Sequence, residues 1–113
     1  RKIKRICYGY VCSMTEIRMI INGLWYDPKK SITIAENGNN FDWIGSDDLR
    51  YFRETLEVTK KGNLFLYEWS SIVHDHLITP IDKKSAIIWC SEKRANIEDT
   101  KLFEKFVGKV DEA

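Results

Sequence analysis

Two alternating runs of apolar and polar residues, joined by a polar turn, form the clearest pattern in the chain. They span residues 54–69, and the break between them is Lys60, Lys61, Gly62 and Asn63. Runs of period two that are rich in Thr, Val, Phe and Tyr predict β-strands, and a Lys-Gly-Asn break between two such runs predicts a β-hairpin.

The second strand of this hairpin has apolar residues on both of its faces. Leu64 and Leu66 share one face, and Phe65, Tyr67 and Trp69 share the other. Because alternate residues of a strand point to opposite sides of a sheet, this composition indicates a central strand that is covered by a helix on one side.

Shorter apolar segments, separated by turn residues, surround the hairpin. Asn22-Gly23 predicts a tight turn, and Asp27-Pro28 predicts a second one, since proline fixes φ and favours extended structure before it. We expect extended structure over residues 17–21, 24–26, 31–35 and 49–55, a turn over residues 36–40, and an irregular connection over residues 70–79.

Two helices are predicted near the end of the chain. Asp82 is a good N-cap for the first, which carries Ala86, Trp89 and Cys90 at helical spacing. The second is expected to start at Asn96, with Asp99 in its first turn, and to stop at Gly108; its apolar residues are Ile97, Leu102, Phe103 and Phe106.

Strands followed by helices are the order of an α+β fold. We therefore expect an antiparallel β-meander of four to five strands with one or two C-terminal helices packed on one face. The 113 residues, of which 43% are hydrophobic and 31% charged, suit one domain. Without an apolar run of about 18 residues, no membrane span is predicted and a cytoplasmic location is expected.

The domain is expected to cover residues 14–113. The chain starts without Met, whereas Met14 opens a segment suited to a native beginning, so residues 1–13 are interpreted as a leader or a non-native extension. Four of the 18 basic residues and none of the 17 acidic residues lie in residues 1–13, so the remainder, with 14 basic and 17 acidic residues, is mildly acidic.

Neither a metal site nor a catalytic site is expected. Cys7, Cys12 and Cys90 are odd in number and lack the close pairs of a structural zinc site, so we expect reduced thiols. His74 and His76 flank a carboxylate and form the best enzymatic candidate, yet no nucleophile elbow, HExxH motif or phosphate-binding loop accompanies them. A polar loop is the simpler interpretation, and no cofactor is implied.

Several segments of the chain together carry a resemblance to a known family. They are IING with YD at 20–27, RYF with ETL at 50–56, TKKGN with FLY at 59–67, and the segment 78–81 with Ala86 and Trp89. Over roughly residues 19–93 the chain resembles a family of small uncharacterised proteins that phages, plasmids and conjugative elements of Firmicutes carry. The resemblance implies a compact domain encoded on a mobile element, with no activity attached. Residues 68–71 depart from the family, which tends to have a glycine-rich loop there.

Aromatic and basic residues near the turns are the candidate partner-binding residues, because Trp, Tyr and Arg dominate interface energetics. They are Trp25, Tyr26, Arg50, Arg53, Lys60, Lys61, Tyr67 and Trp69. Together with the resemblance, they predict a mobile-element accessory protein that binds a host or phage protein, in the form of an anti-CRISPR-like inhibitor of a host defence protein. The alternative is an accessory protein that binds nucleic acid through the hairpin; the third is an enzyme centred on His74 and His76. An open sheet edge would also permit a homodimer.

Overall fold

A computed structural model of the protein describes residues 17–38, 52–70 and 75–113. The elements in chain order are β1 (Met19–Ile21), β2 (Leu24–Tyr26), β3 (Ile32–Gly38), β4 (Phe52–Val58), β5 (Leu64–Ser70), β6 (Asp75–Pro80), α1 (Lys83–Lys93), β7 (Asn96–Ile97) and α2 (Thr100–Phe106). The leader assigned to residues 1–13, Cys7 and Cys12, and the expected extended segment 49–51 lie outside the described residues.

One antiparallel sheet of five strands organises the fold, in the order β6-β5-β4-β3-β7. Strands β3 to β6 follow one another as a meander, and β7 returns to the free side of β3, where Ile97 pairs with Ala35. Strands β1 and β2 form a separate two-stranded sheet. The predicted α+β fold, with a five-stranded antiparallel sheet and two C-terminal helices, is therefore confirmed.

The sheet is covered on both faces. On one face, side chains of β3, β4 and β5 pack with α1 and α2; the buried members of this cluster are Ile34, Ala35, Leu56, Val58, Leu64, Leu66, Ala86, Trp89, Phe103 and Val107. On the other face, Tyr26 of β2 packs with Phe65, Tyr67 and Ile78. The alternation of β5 thus supplies one core with leucines and the other with aromatic rings, and the hairpin of β1 and β2 forms a third layer.

The two helices begin at acidic N-caps. The Asp82 carboxylate accepts a hydrogen bond of 2.7 Å from the Ser85 backbone N–H, as the sequence predicted. Asp99 caps α2 in the same way through the N–H groups of Lys101 and Leu102. Among the described residues, no helix has the length and apolar character needed to cross a bilayer.

Three predicted element assignments are wrong, each because strand pairing overrides a weak local signal. Residues 36–38 continue β3 instead of forming a turn, since Asn37 pairs with Glu54 and its amide donates a 2.7 Å hydrogen bond to that carboxylate. The predicted irregular connection contains β6, which pairs along β5. Asn96 and Ile97 form β7, so the second helix starts later than expected, at Thr100.

Candidate partner-binding cleft

The hairpin of β1 and β2 presents an exposed tryptophan. Its turn residues Asn22 and Gly23 have φ values of 51° and 78°, the left-handed pair of a type I′ turn. This turn sets the register that places Ile20 opposite Trp25. Both side chains point outward and are 61% and 54% exposed, whereas Tyr26 points inward and is only 6% exposed.

The exposed side chains of this hairpin are apolar. Met19 and Leu24 lie on the same face as Ile21 and Tyr26, yet each is 38% exposed at the margin of the hairpin. We call Met19, Ile20, Leu24 and Trp25 together the hairpin patch. Behind the patch, the Tyr26 and Phe65 rings pack in a T-shaped arrangement, with ring centroids 5.4 Å apart and planes at 77°, so the hairpin rests on a packed sheet.

A cation lies directly on the hairpin patch. The guanidinium carbon of Arg18 is 4.2 Å from the centroid of the Trp25 ring, which is the geometry of a cation–π interaction. The contact orients the Trp25 side chain and brings a positive charge to the rim of the patch.

The turn between β4 and β5 supplies two more cations. Gly62 N–H donates to Thr59 O at 2.9 Å and Thr59 N–H donates to Asn63 O at 2.9 Å, while Gly62 has a φ of 91°. This is a type I turn closed by a glycine in the left-handed region. Lys60 and Lys61 occupy its exposed central positions.

The turn after β2 forms the third wall. Lys30 N–H donates to Asp27 O at 3.0 Å, and the Asp27 carboxylate accepts a 2.9 Å hydrogen bond from Lys29 N–H. Ser31 Oγ lies 2.6 Å from Glu57 Oε1, which ties the end of this turn to β4. The backbone is therefore held on both sides of Lys30.

These three segments enclose a cleft of 390 Å³, which we call the basic cleft. It is lined by Arg18, Gly23, Leu24, Trp25, Asp27, Lys30, Ser31, Thr59, Lys60, Lys61 and Asn63. Four of these side chains are cationic and one is anionic, although the chain as a whole carries a net charge of only +1. The positive charge is thus concentrated next to the hairpin patch.

The structure brings together three of the eight candidate residues, Trp25, Lys60 and Lys61. Tyr26 and Tyr67 are buried in the hairpin-side core, and Trp69 is buried as well. Arg53 lies away from the cleft and donates to Glu36 Oε1 at 2.7 Å. Arg50 lies outside the described residues.

Sequence reasoning missed Arg18 and Lys30. A signal for Arg18 was present, because a two-residue Asn-Gly turn pairs residue 20 with residue 25 and leaves residue 18 on the same face of the hairpin. No local signal in the sequence links Lys30 to Lys60, because the long-range pairing of β3 with β4, which places Ile32 opposite Val58, brings the two turns together.

The histidine candidate does not form an open site in the described part of the chain. His74 lies outside it, and His76 Nδ1 is 2.6 Å from the Tyr67 hydroxyl, with the two rings stacked at 5.8 Å. Within the described residues, no group of three His, Cys, Asp or Glu side chains could hold a metal ion. Cys90 packs at the helix-side core, and burial raises the pKa of its thiol, which makes it less reactive.

A second, acidic cavity of 270 Å³ lies along β4, β5 and β6. Glu54 and Glu68, directly opposite each other on neighbouring strands, both line it. Burial, and then the charge of Glu54, raises the pKa of the Glu68 carboxyl, while Lys93 opposes the shift. Two carboxylates alone do not identify a ligand for this cavity.

Comparisons of the chain with models of protein families, with curated proteins and with solved structures found no match.

Proposed function

We propose that this protein is a protein-binding module that docks through the hairpin patch. The observation that carries the proposal is that four large apolar side chains of this hairpin, Met19, Ile20, Leu24 and Trp25, are exposed to solvent. Contiguous exposed apolar surface on a small soluble domain marks an interaction site, and a central tryptophan with a charged rim is the usual composition of an interface hot spot.

The composition of the patch favours a protein partner over nucleic acid. Surfaces that bind single strands stack successive bases on several aromatic rings. Among the described residues that line the basic cleft, Trp25 is the one aromatic side chain, and its neighbours in the patch, Met19, Ile20 and Leu24, are non-aromatic. Aliphatic side chains match an apolar recess on a protein and have no counterpart in a phosphate backbone.

The biological form of the proposal is an accessory protein of a mobile element that occupies and inhibits a host defence protein in the cytoplasm, as anti-CRISPR proteins do. Its support is the resemblance described for residues 19–93, part of which, Ile20 to Gly23, lies within the hairpin that carries the patch. A small domain with an exposed apolar surface is suited to acting by occupancy, since blocking a surface needs no catalytic group.

The test is an affinity capture from nuclease-treated Firmicutes lysate, followed by titration of the recovered partner with three proteins. Ile20→Ser removes the most exposed side chain of the patch, and Ile88→Ser is its matched control, because Ile88 is 48% exposed on α1. We expect Ile20→Ser to weaken binding at least about tenfold, as for a hot-spot neighbour, and Ile88→Ser to bind like the unchanged protein.

Two results would contradict the proposal. One is the absence of a stoichiometric protein partner after nuclease treatment. The other is equal affinity of Ile20→Ser and Ile88→Ser for the recovered partner, which would move the interface away from the hairpin.

Single-stranded nucleic acid is the second candidate ligand, and the four cations around Trp25 are the observation in its favour. Binding of this kind weakens steeply as salt rises, because counterions are released when phosphates are neutralised. Filter binding of an oligonucleotide at two salt concentrations checks it; retention that does not depend on salt, or no retention at all, removes this candidate.

A further inference from the structure

We infer that the basic cleft receives the carboxylates of an extended acidic segment of the partner protein, whose apolar residues cover the hairpin patch; this inference rests on the proposed function. The cleft and the patch share Leu24 and Trp25, so one ligand can contact both without a break. A segment that carries both carboxylates and apolar side chains is the chemistry that matches this continuous surface.

The cations of the cleft have no carboxylate partners within the described residues. The ion pairs among the described residues join Arg53 to Glu36 and Lys93 to Glu54, and none of these four residues lines the cleft. Arg18 is engaged with the Trp25 ring, which leaves the edge of its guanidinium to donate hydrogen bonds. Lys30, Lys60 and Lys61 therefore add three unpaired ammonium charges to the same opening.

Among the described residues that line the cleft, Asp27 carries the one carboxylate, and one of its oxygens already accepts a hydrogen bond. Asp27 accepts the Lys29 backbone N–H at 2.9 Å within its own turn, so its oxygen is held by the protein backbone. With four cations and this single anion, the cleft attracts negative charge, and complementary potentials of this kind raise association rates and select partners.

Neutral donors complete the cleft. Thr59 Oγ1 accepts a 3.1 Å hydrogen bond from Asn63 N–H, which leaves the hydroxyl proton of Thr59 to donate to a ligand. Thr59 and Asn63 both line the cleft. Carboxylate oxygens accept several hydrogen bonds each, so these donors suit them.

The experiment is a selection of peptides from a random library on the immobilised protein, followed by titration of a selected peptide. Lys60→Glu/Lys61→Glu reverses two cleft charges, and Lys83→Glu/Lys84→Glu is the matched control, since it makes the same change in net charge on two exposed adjacent lysines of α1. The control substitution also places acids in the first turn of a helix, where they are favourable.

We expect the selected peptides to be enriched in Asp and Glu interspersed with apolar residues. Their affinity should fall at least about tenfold in the cleft variant, stay within about twofold in the control, and decrease as salt rises. Three results would overturn the inference. The selected peptides could lack acidic enrichment, or both double variants could lose affinity equally. The third result is that an oligonucleotide displaces a peptide bound in the cleft.

The same peptide separates this inference from the proposed function. If the cleft variant loses the peptide but Ile20→Ser binds it normally, the inference of an acidic ligand is supported and the proposal that the hairpin patch is the docking surface is contradicted. If Ile20→Ser loses the peptide while the cleft variant keeps it, the proposal that the patch is the docking surface is supported and the inference of an acidic ligand is contradicted.

Discussion

Glu57 Oε1 lies 2.6 Å from Ser31 Oγ, and this contact fastens the turn that walls the basic cleft to the centre of the sheet. The other carboxylate oxygen, Oε2, accepts a hydrogen bond of 2.6 Å from Thr33 Oγ1. Glu57 is only 3% exposed, so a buried carboxylate, satisfied by two hydroxyl groups, links the fold to the candidate site.

Removing this carboxylate should destabilise the protein. Glu57→Ala leaves the Thr33 hydroxyl without its carboxylate acceptor and the Ser31 hydroxyl with the Pro28 carbonyl alone, and we expect a loss of about 2 kcal/mol in the free energy of unfolding. Glu57→Gln keeps one acceptor and should cost about 1 kcal/mol. Urea unfolding measures both.

Glu104→Ala is the control for this prediction, because Glu104 is exposed on α2 and should cost less than about 0.5 kcal/mol. Equal stability of Glu57→Ala and Glu104→Ala would show that the hydroxyl contacts contribute nothing.

Tyr26 is expected to hold the hairpin on the sheet. Tyr26→Ala removes the ring that meets Phe65 and should cost about 3 kcal/mol, whereas Tyr26→Phe keeps the ring contact and should cost less than about 1 kcal/mol. Hydrogen exchange checks where the loss occurs. Amides of β1 and β2 should lose protection first in Tyr26→Ala, and uniform loss across the five-stranded sheet would contradict the prediction.

The Glu68 carboxyl should make stability decrease as pH rises. Burial, reinforced by Glu54, raises its pKa, so the folded protein holds this proton more tightly than the unfolded chain does. Stability is therefore lost as pH increases through the raised pKa. At neutral pH we expect Glu68→Gln to be more stable than the unchanged protein by roughly 0.5 kcal/mol, a small value because solvent screens a partly exposed group.

Chemical denaturation of Glu68→Gln and the unchanged protein at several pH values checks this sign. The difference should vanish below about pH 4, where the carboxyl is protonated in both states. Lys93→Met should enlarge the loss at neutral pH, because Lys93 lowers the pKa of Glu68. A difference that is constant with pH would rule out ionisation as its cause.

Asp82 should produce the opposite pH dependence. Hydrogen bonds from Ser85 lower the pKa of its carboxyl, so the stabilisation is present above the ordinary pKa of aspartate and is lost as pH falls through the lowered value. We expect Asp82→Ala to lower the melting temperature at neutral pH and to differ less from the unchanged protein in acid. Asp82→Ser, which still caps the helix but does not titrate, should retain most of the melting temperature at every pH.

The sequence predicted the elements whose signals are local. The hairpin of β4 and β5 has alternation on both sides of its turn, the turn of β1 and β2 is an Asn-Gly pair, and Asp82 stands directly before an apolar helical pattern. Strands β6 and β7 were not predicted, because they form through pairing with β5 and β3 and not from a local sequence pattern. β7 is only two residues long, too short for any period to appear.

The same division explains the candidate site. Trp25, Lys60 and Lys61 were identified from their residue types near turns, and the structure brings them together. Tyr67 and Trp69 were assigned to a binding face because a single sequence does not reveal what lies over β5 opposite the helices. The hairpin of β1 and β2 lies over that face and covers Tyr67, and no local pattern encodes this docking.

The alternation within β1 and β2 separates two kinds of evolutionary constraint. Tyr26 and Ile21 contact the sheet, so changes there must preserve packing, whereas Ile20 and Trp25 are mostly exposed and substitutions there cost folding less. Residues next to each other in the sequence, such as Trp25 and Tyr26, are therefore under different structural constraints. Under the proposed function, a protein built in this way can follow a target whose surface diverges by exchanging outward residues alone, while its scaffold stays constant.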